Sequence, residues 1–560
     1  MTSERPWADV EEEADVVVVV GLGVAGTVAA IEAAERGARV VAVDRWGRGG
    51  ASARSGGILY SGGGTEQQRA AGFDDDPEQM RCYLALEEGV PVDDARLRRF
   101  CERSLEDHGW LTTHGVSVPM GFDPAKAVVP VDNDTGLYYS GNEKHYAGSV
   151  PAVPRGHRVA GAGMTGHDLV AALHRAAAAA GVDVRVPARL VDLAQDADGR
   201  VCGVEVLVLG TDPLTRVLHT AAYRLMDLAG ALLRRVPRRL VTAVDRLEER
   251  HSRRVALSAR LGVVLATGGF SYNRDLMEAA APTFARAMPL GTPGDDGSGI
   301  TIAEAAGGAV RLMDHCGASR FYAPPAAFSV GILVDPEGRR ICDESLYAAT
   351  LTARIAERGG RAWLVVDAAT RRQVRAEIHT AAPLHSRPLR ELLSGRANHI
   401  VFTRLFGSIN LYLNRVMAPT LGQLARRIGV PPDMLEATVA AYNERASRGL
   451  PDDLGKPAEL VRTLGPGPWA AVPCHLGSFI FPAPCITLGG IDVDEDQQVR
   501  RPDGTTIAAL YAVGRCAAGV ASRSYVSGLS LADCVFSGRN AGMAVAGAGV
   551  HEARAPESGP

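Results

Sequence analysis

Lysine is almost missing from this chain of 560 residues: of its 60 basic residues only Lys126, Lys144 and Lys456 are lysine. Arginine supplies the rest, a bias that follows genome composition and carries no functional weight. Net charge is small as well, −4 with a pI near 6.4, so no global excess of positive charge invites nucleic acid. The nine cysteines include no CxxC pair, which argues against a structural zinc site and a disulfide framework and points to reduced thiols in the cytoplasm. No run approaches the roughly 18 apolar residues that span a bilayer, so no transmembrane helix is expected. The leading stretch "MTSERPWADVEEEADVVVVV" has no basic segment before its apolar run and does not read as a signal peptide. What is present is 46% hydrophobic and 22% charged residues, the composition of a soluble globular protein long enough for two or three domains.

Five consecutive valines, Val16 to Val20, lead directly into "GLGVAGTVAAIEAAERG". A continuous β-branched run is what a strand buried on both faces of a parallel sheet requires, and the alanine-rich segment after it is helical in pattern. Between them Gly21, Gly23 and Gly26 form GxGxxG around Ala25. The first glycine permits the tight turn, the second lets backbone approach a pyrophosphate, and the third lets helix and strand pack closely. A second strand, "ARVVAVD", ends at Asp44, 18 residues beyond Gly26, where a carboxylate can bind ribose hydroxyls.

After Asp44 comes "RWGRGGASARSGGILYSGGGT", a Gly/Ser segment without helical period that suits a loop beside an extended flavin. Downstream, "RLGVVLATGGFSYN" ends a strand at Thr267-Gly268, and "TIAALYAVGRCAAG" turns at Gly514. These features resemble the flavoprotein family of succinate dehydrogenase, fumarate reductase and 3-ketosteroid dehydrogenase, in the family's order and over nearly the whole chain. The resemblance implies an α/β fold with a discontinuous Rossmann-type FAD-binding domain, residues 1–325 and 480–550. It also implies a smaller α+β cap or catalytic domain at 326–479, and a disordered tail at 551–560. Cofactor contacts are expected from Gly21, Gly23, Ala25, Gly26, Asp44, Arg45, Ala51, Ser52, Ser55, Gly56, Gly57, Leu190, Thr267, Gly268, Asp296 and Gly514. Asp295 is the alternative to Asp296 in the acidic glycine turn "GDDGSG". Ser530 and Leu531 would aim the N–H groups of the last helix at the flavin, Ser530 also serving as its cap. Residues 45–65 hold none of the histidine that covalent members use, so FAD is expected to be non-covalent.

One segment does not fit a simple plan. "VCGVEVLVLG" should continue across a short hairpin into "VALSARLGVVLATGG", yet Thr211 to Val255 intervene. Leu214, Leu218, Ala221, Leu225, Leu228 and Leu232 make one apolar stripe at helical spacing, and Pro237 divides it from Leu240, Val244 and Leu247. From Arg216 to Arg254 there are ten arginines against four acids. Two readings stand: a basic amphipathic pair lying peripherally on an anionic membrane, or a helical hairpin packing on its own domain or a second subunit.

For chemistry, the dicarboxylate-binding charge of fumarate enzymes is missing. In "CDESLYAATLTAR" the nearest arginine after the cap motif is Arg354, and "DHCGASRFYAPP" replaces the family's His-Pro-Thr. Aromatic and proline residues suit a large apolar substrate, and tyrosine suits proton removal beside a ketone. "SRSYVSGLSLADC" holds Tyr525 and Ser527 where 3-keto-5α-steroid 4-dehydrogenases have a Tyr-x-Ser, while the 1-dehydrogenase branch has a Tyr-Pro-Gly-Pro-Gly stretch. The resemblance makes Tyr322 the base that takes the C4 proton. Tyr525 polarises the C3 carbonyl, with the Leu529 N–H as a further donor, and Ser527 assists or relays; Tyr138 and Tyr139 add pocket wall or are ordinary aromatics. The expected activity is FAD-dependent dehydrogenation of a 3-ketosteroid with a separate electron acceptor. The alternatives are a 1-dehydrogenase, an enoate or fumarate-type reductase, or a non-catalytic membrane-associated flavin- or sterol-binding protein.

Overall fold

Val16–Val20 runs through the middle of a six-stranded sheet in the computed structural model of the chain, which describes residues 10–11, 16–126, 133–380, 401–481 and 483–552. The strand order is Gln498–Arg500, Thr506–Ala512, Gly262–Leu265, Val16–Val20, Arg39–Val43 and Asp183–Arg185. All neighbours pair in parallel except the Gln498–Arg500 edge. The five valines are at most 4% exposed, and their alternation splits them between two layers. Val17 and Val19 pack with helices Val24–Glu35 and Leu529–Glu552, while Val16, Val18 and Val20 meet a second sheet. The two helices approach closely because Gly538 and Gly542 face the first one: a Cβ on Gly538 would stand 2.5 Å from the Ala25 carbonyl oxygen. That helix runs to Glu552, so Val550 and the two residues after it are helical; residues 553–560 lie outside those described.

The second sheet has the order Val10–Glu11, Ser252–Ser258, Val201–Leu209, Ala188–Gln195. Leu209 faces Ser252 across an antiparallel pair, so the hairpin anticipated from sequence is present and the intervening segment hangs from its tip. That segment folds as helices Pro213–Leu233 and Arg238–His251. Its apolar stripe faces outward: Leu214, Leu218, Leu225, Leu228 and Leu232 are 49–70% exposed. The hairpin does pack on its own domain, but through the opposite face of its first helix; on the second helix Val244 is buried. The buried face of the first helix is Thr215, His219, Tyr223, Met226 and Gly230. Those residues lie against charged and aromatic groups, which polar and aromatic side chains can partner and leucines cannot. Gly230 permits the close approach, since a Cβ there would meet the Tyr272 ring at 2.5 Å.

Between the two cofactor-sheet segments an antiparallel sheet runs Ile332–Val334, Trp363–Val366, Trp469–Pro473, Val416–Ala418. Its first strand turns through a hairpin at Gly338, whose φ of +83° only glycine adopts without strain. A buried ion pair anchors the layer, Lys456 Nζ to Glu344 Oε2 at 2.8 Å, with Arg340 on the same carboxylate at 2.7 Å. A further sheet, Ile58–Tyr60, Gly156–Arg158, Thr135–Tyr139 and Gly121–Lys126, carries the tyrosine-rich strand toward this layer.

Candidate active site and cofactor cleft

A deep cleft opens at the carboxyl ends of the parallel strands, where ligands bind in doubly wound folds. Gly21, Gly23, Ala25, Asp44, Arg45, Ala51, Ser52, Leu190, Thr267, Gly268, Asp296 and Gly514 all line it. Gly26 supports it from below, because a Cβ there would collide with the Gly21 carbonyl. A Cβ on Gly23 would stand 3.3 Å from Ser52 Oγ, so the loop keeps a bare backbone where a pyrophosphate approaches. Ser55, Gly56 and Gly57 sit behind the wall: Ser55 Oγ donates to the Ser52 carbonyl, and the Gly56 carbonyl accepts from Thr165 Oγ1. Asp44 already accepts from the N–H groups of Leu22 and Trp46, at 2.9 and 2.8 Å, which orients its carboxylate into the cleft mouth. Of the two acids in the glycine turn, Asp295 is structural, 2.6 Å from Arg515 and 2.8 Å from the Thr292 N–H. Asp296 remains at the mouth, paired with Arg45 at 3.2 Å.

Trp46 Nε1 and Arg515 Nη1, both on lining residues, are buried donors with no hydrogen-bond partner among the described residues. A glycine cradle, a ribose-side carboxylate and orphan donors together fit a flavin dinucleotide. The last helix starts at Leu529, where the Gly528 carbonyl accepts from the Ala532 N–H at 3.0 Å. Ser530 is therefore inside the first turn and is not its cap. The cleft reaches this helix at Cys534; Ser530 and Leu531 lie one turn nearer its N-terminus.

Next to Arg515 stands a cluster of hydroxyls. The Arg515 charge pulls down on Tyr525, although burial dominates and holds that phenol above its ordinary range. Tyr525 stacks on Tyr347, ring centroids 6.5 Å apart. Burial also raises Tyr138 and Tyr347, and the nearby Ser527 hydroxyl opposes that shift in each. Four residues thus meet from three parts of the chain: Tyr138 from a strand, Tyr347 from a helix start, Tyr525 and Ser527 from the turn before the last helix. Gly317 leaves room for this, a Cβ there standing 2.9 Å from Tyr525 Cβ.

Tyr322 does not join them. Its ring is buried with Phe328, Leu333 and Leu351, and its hydroxyl donates to the Glu344 carbonyl at 2.6 Å. Burial and the nearby Glu344 charge push its pKa well up, so it is neither free nor acidic enough to be a base. The tyrosine that sequence reasoning missed is Tyr347, inside the same "CDESLYAATL" stretch that had been searched for an arginine. It is placed by Asn142: the Tyr347 N–H donates to Asn142 Oδ1 at 2.6 Å, and Asn142 Nδ2 donates to Thr350 Oγ1 at 2.8 Å. Beside this link, His145 Nδ1 meets Asp343 Oδ2 at 3.0 Å. Tyr139, in contrast, stays at the edge with its hydroxyl on the Ala152 carbonyl at 3.2 Å.

The sequence matches the FAD binding domain family over residues 16–531. It is 32% identical to a 3-oxo-5-alpha-steroid 4-dehydrogenase of Comamonas testosteroni over 524 residues, covering 91% of this chain and 93% of that protein. It is 26% identical to a 3-oxosteroid 1-dehydrogenase of Mycobacterium tuberculosis, covering 91% of this chain and 94% of that protein. Among solved structures, the 3-ketosteroid-delta4-(5alpha)-dehydrogenase of Rhodococcus jostii, in complex with 4-androstene-3,17-dione, superposes with a TM-score of 0.76 at 30% identity, covering 96% of this chain and 98% of the other.

Proposed function

The chain belongs to the FAD binding domain family, and from that premise we propose that it is an FAD-dependent dehydrogenase that introduces the 4,5 double bond into 3-keto-5α-steroids, with residues 326–479 as its cap. The observation that carries this reading is Tyr525 stacked on Tyr347, ring centroids 6.5 Å apart, with Ser527 two residues on in the same turn. The bound flavin supplies the hydride acceptor for C5. FAD is held without a covalent link, since the loop at 45–65 offers no histidine.

Tyr525 donates its hydroxyl to the C3 carbonyl oxygen, favouring charge there as C4 loses its proton. Ser527 Oγ takes that proton while passing its own to the phenolate of Tyr138 or Tyr347, which ends the step as a neutral phenol. That phenolate forms by loss of the phenol proton to solvent before the step, and because burial holds all three phenols above their ordinary range, turnover should rise with pH. Anaerobic mixing with a 5α-3-ketosteroid tests the assignment: bleaching of the flavin with a 4-ene-3-ketone product supports it. A 1-ene product would make the enzyme a 1-dehydrogenase. Absence of bleaching by any steroid, with reoxidation of the dithionite-reduced protein by an enoate, would make it a reductase.

We further propose that the outer face of the inserted helix rests on an anionic membrane leaflet, from which an apolar substrate is drawn. No helix among the described residues is long and apolar enough to cross a membrane. The exposed leucine stripe is flanked by exposed Arg216, Arg224, Arg235, Arg239 and Arg246. Phe479, 89% exposed, extends the apolar surface, its carbonyl accepting from Arg234 at 2.8 Å. A second copy pairing the same patch to itself would set arginine against arginine, whereas acidic headgroups complement them. The wild type should sediment with phosphatidylglycerol vesicles and the double variant Leu225→Glu, Leu232→Glu should not. Equal sedimentation of both would sink the idea, as would a dimer in light scattering that the same variant dissolves.

A further inference from the structure

The inner face of the same insertion has a separate role. We infer that the inserted helical pair is a clamp on the adenosine half of FAD. Asp44, at the end of its strand, marks the ribose side of the cleft, and Arg45 and Trp46 follow it along the wall. The insertion reaches that point directly. His219 stacks on Trp46, ring centroids 4.5 Å apart and planes 23° from parallel, and Tyr223 lies at 5.0 Å on the same indole. Tyr223 itself lines the cleft, and Arg48 covers its ring at 5.2 Å. An adenine-bearing ligand here would meet an aromatic wall of which the core fold supplies Trp46 and the insertion the rest.

The second inserted helix fastens the wall together. Glu248, buried, accepts from Arg45 at 2.9 Å, meets Arg189 at 3.1 Å and receives His219 Nε2 at 3.0 Å. Asp245 adds contacts to the same two arginines, at 2.8 and 3.1 Å. Arg45 also holds Asp296, so one helix ties the 44–48 loop, the 188–190 strand and the 295–296 turn into a single rim. Arg54 closes the far side by pairing with Asp227 of the first inserted helix and donating to the Gly291 carbonyl at 3.0 Å. Hairpin strands that pair at Leu209 and Ser252 have no need of such a segment for their own closure. Its inner surface meets residues of the cleft through His219, Tyr223, Asp245 and Glu248, and Tyr272 through Gly230.

The test is FAD affinity of the apoprotein, read by quenching of flavin fluorescence, beside the apoprotein's own melting temperature. Tyr223→Ala should weaken FAD about tenfold or more, the scale of one lost aromatic stacking contact. Glu248→Gln, which keeps the shape and removes the charge, should raise the FAD dissociation rate in the same direction. A chain with residues 210–251 replaced by an Asn-Gly turn should lose more than either. All three should leave the apoprotein's melting within about 3 °C, the shift that a change below about 1 kcal/mol produces in a large domain. Unchanged FAD affinity in Tyr223→Ala and Glu248→Gln would overturn the clamp. So would a loss of affinity that appears only where the apoprotein itself melts early, since that would make the insertion a general support.

Discussion

The cofactor cleft is walled largely by backbone and small residues, Gly21, Gly23, Ala25, Gly268 and Gly514, while the tyrosine cluster consists of large side chains from segments nearly 400 residues apart. The first site is defined by what cannot be added to it. The second is defined by what must be held in place, and Asn142 and Gly317 do the holding without touching the chemistry. Damage should therefore show differently: loss of flavin in one region, loss of turnover with flavin retained in the other.

The sharpest way to break this division is Gly26→Ala, whose Cβ has nowhere to go but into the Gly21 carbonyl. We expect protein purified without yellow colour; retained flavin absorbance would mean that the cradle tolerates a methyl group. Next come Tyr525→Phe and Tyr347→Phe, each expected to keep bound FAD while turnover falls about 10²-fold or more. Tyr322→Phe should leave turnover within about threefold and cost about 1 kcal/mol in denaturant unfolding, the worth of its bond to the Glu344 carbonyl. A rate loss in Tyr322→Phe equal to that of Tyr347→Phe would return the cap-core tyrosine to the mechanism. Asn142→Ala should lower kcat about tenfold with little change in flavin content, because it frees Tyr347 without removing it. An unchanged kcat would show that Tyr347 needs no such placement.

The smallest effect is on stability and comes from Asp533, whose carboxylate accepts from the Ala521 N–H at 3.4 Å beneath the turn that leads to Tyr525. Burial raises its pKa to about 6 from 3.8. The folded form binds the proton more tightly than the unfolded chain, so this group favours the fold below the unfolded value and loses that advantage as pH rises through about 6. Melting curves at pH 5 and 7.5 should differ less in Asp533→Asn than in the wild type, by the equivalent of ~1–3 kcal/mol. An unaltered pH difference would remove Asp533 from the account.

How much of this was legible beforehand follows the same division. The valine strand, the glycine spacing and Asp44 are local backbone requirements, written in nearby residues, and Gly21, Gly23 and Asp44 line the cleft. The tyrosine cluster depends on which side chain a distant loop delivers. Tyr322 and Tyr347 lie 25 positions apart; both are buried, and only the Asn142 bond and the Glu344 carbonyl decide which one faces Ser527. The insertion misled for a different reason. Its leucines carry the periodicity, yet the face that packs is His219, Tyr223 and Asp227, because the surface it meets is charged and aromatic. Hydropathy points to the wrong side of a helix whenever the partner surface is polar.

The central sheet sets a timetable for synthesis. Val16–Val20 gains one neighbour from Gly262–Leu265, and that strand gains its own from Thr506–Ala512. The helix that closes over Ala25 begins only at Leu529. At ~5–20 residues per second a ribosome takes about half a minute to two minutes to make such a chain. For nearly all of that time the glycine loop, made first, waits without the strand and helix that complete it. Flavin uptake is thus expected only after Leu529–Glu552 has been made, and a stop before Leu529 should yield a colourless product.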